Sequence, residues 1–167
     1  MQRKYQFAVI ATDTVILTVY EGQLKVLLIK MKKTPYQKHW AVPGGLVKGN
    51  ESVDACAARQ LLTKAGIKNV YLEQLYTFGK VNRDPFGRVV SVAYYALIPH
   101  TGIKLFTSDE YADIGWFNIK DLPKLAYDHK EIIQTALVRL QSKLQYTNAV
   151  CSLLPEAVLM VNCLNSY

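Results

Sequence analysis

Several residues between Gly44 and Arg88 have types and intervals suited to handling phosphate. Gly44 and Gly45 offer backbone amides in a segment broken by Pro43. Glu51, Arg59 and Lys64 follow, and Arg83, Asp84 and Arg88 flank a second polar stretch, Asn82 to Gly87. Arginine meets phosphate with two parallel N–H donors, which makes Arg83 and Arg88 candidate ligand contacts. Glu51 also suits a purely structural role, a negative charge near a helix N-terminus. Arg59 is expected to tie the preceding loop to the helix through a carboxylate. Asp54 is expected on solvated helix surface, His129 in a structural role, and Trp40, Trp116 and Phe117 in the core.

These residues need elements to hold them. Residues 6–19, rich in Val, Ile, Thr and Tyr, read as a strand, with Asp13 interrupting the apolar run. A turn at Glu21-Gly22-Gln23 leads to a returning strand, Leu24 to Met31. After a polar loop and Trp40-Ala41-Val42, Pro43-Gly44-Gly45 is expected to break regular structure. A helix is predicted over 52–65, capped by Asn50 or Ser52 and closed by Gly66. Strands are predicted over 70–81, 88–98 and 114–117, the first two forming a hairpin with a polar tip. A second helix is predicted over 128–145 with Asp128 as its N-cap; Ile132, Ile133, Ala136, Leu137, Leu140 and Leu144 form its apolar stripe. Two such helices on a mixed sheet would bury both stripes, an α/β class.

The series Gly45, Glu51, Arg59, Leu61, Gly66, Ile67, with Trp40-Ala41-Val42-Pro43-Gly44 leading in, resembles the Nudix box. The resemblance implies the Nudix fold, a mixed β-sheet between α-helices. It also implies Gly45, Glu51, Arg59 and Gly66 as the structural positions of the box. Nudix enzymes cleave a diphosphate joined to another moiety, with a divalent metal, usually magnesium, held by helix glutamates one turn apart. This chain has Gln60, Thr63 and Lys64 at the three glutamate positions. Gln60 keeps an oxygen without charge, Thr63 is short, and Lys64 sets a cation where a cation should bind. Two like charges about 4 Å apart near a protein surface repel by roughly 4 kcal/mol. No catalytic residue and no metal ligand is therefore assigned. A cofactor is expected only if the chain is a hydrolase, in which case it is magnesium.

The run from Arg83 to Tyr95 resembles ADP-ribose-type Nudix domains. Leu125-Ala126-Tyr127-Asp128-His129 and Leu144 to Thr147 resemble the Nudix-related transcriptional regulators, which sense a metabolite and bind DNA through a C-terminal winged helix. The implied organisation is a Nudix domain over 1–146 and a tail over 147–167 where the regulators continue into the winged helix. Stable DNA binding is accordingly not expected of this chain.

The remaining composition is ordinary for a globular chain of 167 residues, half of them hydrophobic. A net charge of +7 favours anionic partners, though the basic residues are scattered. Cys56, Cys151 and Cys163 make no disulfide framework and point to reduced thiols in the cytoplasm. No apolar stretch spans a bilayer.

The leading expectation is a non-catalytic domain binding ADP-ribose or a related nucleoside diphosphate sugar, with Gly44, Gly45, Lys64, Arg83, Asp84 and Arg88 as its ligand contacts. One alternative is a hydrolase gathering metal from Glu51, Asp54 or Asp84; another is an interaction scaffold, dimeric through an exposed sheet. The three replaced glutamates predict negligible magnesium-dependent hydrolysis of ADP-ribose. Chromatography of the products checks this, and turnover near ~1 per second would contradict it.

Overall fold

The computed structural model describes residues 7–101, 105–106 and 109–146. The 147–167 tail, with Cys151 and Cys163, lies outside the described residues.

The alternating apolar run at the N-terminus becomes β1 (Val9–Tyr20), the central strand, and its hairpin partner is β2 (Gln23–Met31). Short strands β3 (Trp40–Ala41) and β4 (Gly44–Leu46) follow, then α1 (Val53–Ala65), β5 (Glu73–Phe78), β6 (Val89–Leu97), β7 (Tyr111–Asn118) and α2 (His129–Tyr146). The sheet runs β3-β2-β1-β6-β5, with β4 also paired to β1 and β7 to β2. The β1–β6 pairing is parallel over nine residue pairs, Val9↔Val89 to Leu17↔Leu97, and the other pairings are antiparallel.

Side chains of a strand alternate between its two faces. Val15, Leu17 and Val19 of β1 pack with Ile132, Ile133, Ala136 and Leu140 of α2. Ile16 packs with Leu61 and Ala65 of α1 on the opposite face. The architecture is a mixed sheet between two helices, as the resemblance implies. Trp40, Trp116 and Phe117 pack partly buried against the two cores.

Three local expectations are corrected. Gly44 and Gly45 do not break structure: they begin β4, antiparallel to β1. A Cβ at Gly44 would collide with Asp13 Oδ1 and the Thr12 carbonyl, and one at Gly45 with the Gln60 amide. Absent side chains therefore permit the close approach. The strand expected over 70–81 spans only Glu73–Phe78, with the flanking residues in loops. Asp128 spends its carboxylate on Arg83 rather than on capping α2. At α1, Ser52 is the cap, its Oγ accepting from the Ala55 amide at 3.1 Å, and Gly66 closes the helix at φ +71°.

Ile133 is fully buried beneath α2, whereas Val138 on the same helix is exposed. Ile133→Ala should lower stability by about 2–5 kcal/mol, the usual cost of a core cavity. Val138→Ala should change it by less than about 0.5 kcal/mol. Urea denaturation of both variants checks the difference.

Candidate functional site

The odd-numbered side chains of β1 continue past Val15 toward the N-terminus as Asp13, Ala11 and Val9. Helix α2 starts only at His129, which contacts Asp13. Ala11 and Val9 therefore line a cavity of about 480 Å³, within the range of small-molecule sites. Its lining also includes Gly44, Gly45, Lys64, Arg83, Asp84 and Arg88. The structure thus gathers at one cavity the six residues singled out as ligand contacts.

Asp13 is buried, and burial alone would favour its neutral form. Its partners outweigh that: His129, the Ser91 hydroxyl and Arg83 together hold its carboxyl well below the usual carboxylate range. Ser91 Oγ donates to Oδ2 at 2.6 Å and Arg83 Nη2 donates to the same oxygen at 3.1 Å. His129 Nδ1 accepts the Val42 amide at 3.1 Å, leaving Nε2 to carry the proton toward Asp13 Oδ1 at 3.4 Å. Arg83 also donates to Asp128 through Nε at 2.9 Å and Nη2 at 2.7 Å. Its guanidinium is thus spent on two carboxylates, and Arg83 holds the cavity wall together.

Lys64 differs. Its Nζ donates to the Gly44 carbonyl and lies 4.9 Å from the centre of the Tyr111 ring. Burial pushes its pKa below that of an ordinary lysine. Arg88 Nη1 donates to the carbonyls of Lys80 at 3.3 Å and Val89 at 3.4 Å. Both cations thus hydrogen-bond to carbonyl oxygens rather than to carboxylates.

The rest of the box braces the loop. Arg59 Nε donates to Glu51 Oε2 at 2.8 Å, and the Lys48 amide to Oε1 at 2.9 Å. The Arg59 side chain beside it lowers the Glu51 carboxyl to about 2. Gln60 is buried beneath Gly45, and Thr63 Oγ1 donates back to the Arg59 carbonyl at 2.9 Å.

This donor set does not fit a magnesium ion. An amide packed under a glycine, a back-bonded hydroxyl and an ammonium hold the three carboxylate positions. The alternative ligands are engaged: Glu51 by Arg59, Asp54 by the Tyr94 hydroxyl, and Asp84 by the Phe86 amide at 2.8 Å. Of these only Asp84 lines the cavity. Asp54 is exposed, as expected, but not simply solvated, since Tyr94 reaches it. No cluster of three or more His, Cys, Asp or Glu able to hold a metal occurs among the described residues.

Sequence reasoning missed the Asp13 network. The legible signal was a carboxylate inside an otherwise apolar central strand, which implies a buried partner. It also missed Tyr111 and Tyr127, which line the cavity too.

Comparison with known proteins adds to this geometry. The NUDIX domain profile matches residues 11–136. The ADPR responsive transcriptional repressor NtrR of Acinetobacter baylyi is 36% identical over 168 residues, covering 98% of this chain and 66% of its own length. The chain thus spans just under two thirds of that repressor. The ADP-ribose pyrophosphatase of Methanocaldococcus jannaschii is 32% identical, covering 79% of this chain and 75% of its own. Among solved structures, the NUDIX domain of Shewanella oneidensis NrtR complexed with ADP ribose matches with a TM-score of 0.75 at 31% identity, covering 81% of this chain and 90% of its own. Shewanella oneidensis NrtR complexed with a 27mer DNA matches with a TM-score of 0.71 at 33% identity, covering 80% of this chain and 63% of its own. Among the described residues, no helix is long and apolar enough to cross a membrane.

Removing Arg83 would strip Asp128 of its guanidinium and leave buried Asp13 with only His129 and Ser91. Breaking a buried pair on one side costs about 3–5 kcal/mol. Arg83→Ala should therefore lose stability on that scale in urea denaturation, whereas Arg88→Ala should unfold close to wild type.

Proposed function

This chain belongs to the Nudix family, and on that premise we propose that its cavity binds ADP-ribose, or a related nucleoside diphosphate sugar, without hydrolysing it. The observation that carries the reading is Lys64. A fixed ammonium stands at a position where the box otherwise supplies a carboxylate, hydrogen-bonded to Gly44 at the cavity wall. A cation in that position favours a bound anion directly and disfavours a divalent ion. Arg88 and the Gly44 amide, which lies at a position of β4 that is not hydrogen-bonded to β1, supply further donors to phosphate oxygens. Arg83 contributes by positioning, since its donors are committed to Asp13 and Asp128.

The likeness to the NtrR repressor and to the ADP-ribose-bound NrtR domain supports a metabolite-sensing module of transcriptional-regulator type. A homodimeric state is part of that reading; of the relatives, NrtR is complexed with a 27mer DNA. A second reading, hydrolysis of ADP-ribose, is favoured by the likeness to the M. jannaschii pyrophosphatase. The replaced carboxylates weigh against it.

Calorimetric titration of ADP-ribose into the full chain, with and without magnesium, separates the two. The sensor reading expects binding without the ion. Hydrogen bonds to charged groups contribute roughly 1.5–3 kcal/mol. Arg88→Ala and Lys64→Glu should each therefore weaken affinity about tenfold or more. Absence of heat and of thermal stabilisation at millimolar ligand sinks the binding reading. Equal affinity in Lys64→Glu without metal sinks the role given to the lysine.

A further inference from the structure

The cavity is not uniform along its length, and the β1 register shows how it changes. Asp13 pairs with Gly44 of β4 and Ala93 of β6, and it meets Arg83 and His129. Two residues earlier, Ala11 pairs with Leu46 and Ser91. Two earlier again, Val9 pairs with Val89. From Asp13 to Val9 the strand advances about 13 Å, and its own side chains change from charged to aliphatic, with Arg88 beside Val89 at the far end. Leu46 is 56% exposed and Val9 45%, so apolar surface faces solvent at that end.

Phe86 stands at this end. It lines the cavity yet is 75% exposed. The Asp84 carboxylate accepts its amide at 2.8 Å, which fixes the turn that carries it. It has no ring partner among the described residues. The cavity's tyrosines are already engaged: Tyr127 packs on Tyr36 at 4.3 Å and on His129 at 5.2 Å, and Tyr111 lies against the Lys64 ammonium. A lone exposed phenylalanine is ordinary on a protein surface. One held at the rim of a cavity offers a flat face on which an aromatic ring can stack.

We propose that Phe86 is the base-stacking wall of this cavity and sets the direction in which a nucleotide lies. The nucleobase packs on Phe86 at the Val9–Val89 end, and the diphosphate and sugar extend past Arg88 toward Gly44 and Lys64. The proposal rests on the binding reading above. It makes Phe86 a specificity-determining residue that selects ligands carrying a flat aromatic base over base-free sugar phosphates.

The test is calorimetric titration of ADP-ribose, ADP and inorganic pyrophosphate into the full chain and into Phe86→Ala, Phe86→Leu and Phe86→Trp. Base–aromatic stacking supports a loss of about tenfold or more for ADP-ribose and ADP in Phe86→Ala, with pyrophosphate affinity within about twofold of wild type. Phe86→Leu should bind the nucleotides as poorly as Phe86→Ala, and Phe86→Trp at least as well as wild type. Where pyrophosphate gives no heat even with wild type, the ring series alone decides. Phe86→Leu binding like wild type, equal losses for pyrophosphate and nucleotides, or unchanged nucleotide affinity in Phe86→Ala each overturns the proposal. So does a change of oligomeric state in Phe86→Ala by sedimentation, which assigns the residue to a contact between copies. Failure of wild type to bind any of the three removes the binding reading as well. Binding by wild type with an indifferent Phe86 series removes the stacking wall alone.

Discussion

Asp13 carries a negative charge out of water in the middle of the central strand, and the surroundings are arranged to compensate. The desolvation of a buried ion costs several kcal/mol unless partners and hydrogen bonds offset it. Those partners come from far along the chain: Ser91 from β6, Arg83 from the β5–β6 loop and His129 from the start of α2. His129 in turn accepts the Val42 amide beyond β3, and Arg83 recruits Asp128. One buried carboxylate thereby fixes where the loop, the helix start and the sheet edge meet. The cavity is the space those positions leave uncovered.

The altered box follows a related logic. Lys64 and Gln60 both act on β4, one through the Gly44 carbonyl and the other by filling the space against Gly45. Positions that could have aimed oxygen ligands outward are turned inward as braces. Glu51 and Arg59 keep the loop leading into α1 closed by their bidentate pair. The helix thus retains the part of the box that shapes the loop, with a different set of donors where charge would gather.

Much of the fold was legible because it is written in local patterns. The α1 span, its serine cap and its closing Gly66 follow from the helical spacing of Cys56, Ala57, Leu61 and Ala65. The α2 stripe follows likewise from Ile132, Ile133, Ala136 and Leu140. Long-range commitments were not legible. Asp128 has the sequence profile of a helix cap, yet a guanidinium 45 residues away is the stronger partner. Gly44 and Gly45 look like a break because glycine is flexible, but here the missing side chains matter for packing distance. Arg83 looks like a ligand contact from its polar loop, and only the fold shows it turned onto two carboxylates.

The parallel pairing of β1 with β6 bears on how the protein assembles. Val9 meets Val89, eighty residues further along, whereas β1 and β2 meet across a two-residue turn. Closing a long loop costs chain entropy before any contact repays it, and such pairings slow folding. The β1–β2 hairpin and the two helices can form from local contacts, while Asp13 waits for Ser91, Arg83 and His129 to arrive from the second half of the chain. During synthesis, the N-terminal half emerges with its central carboxylate unpaired. Completion of the cavity therefore waits on strand pairings that join the two halves of the chain, β1 with β6 and β2 with β7.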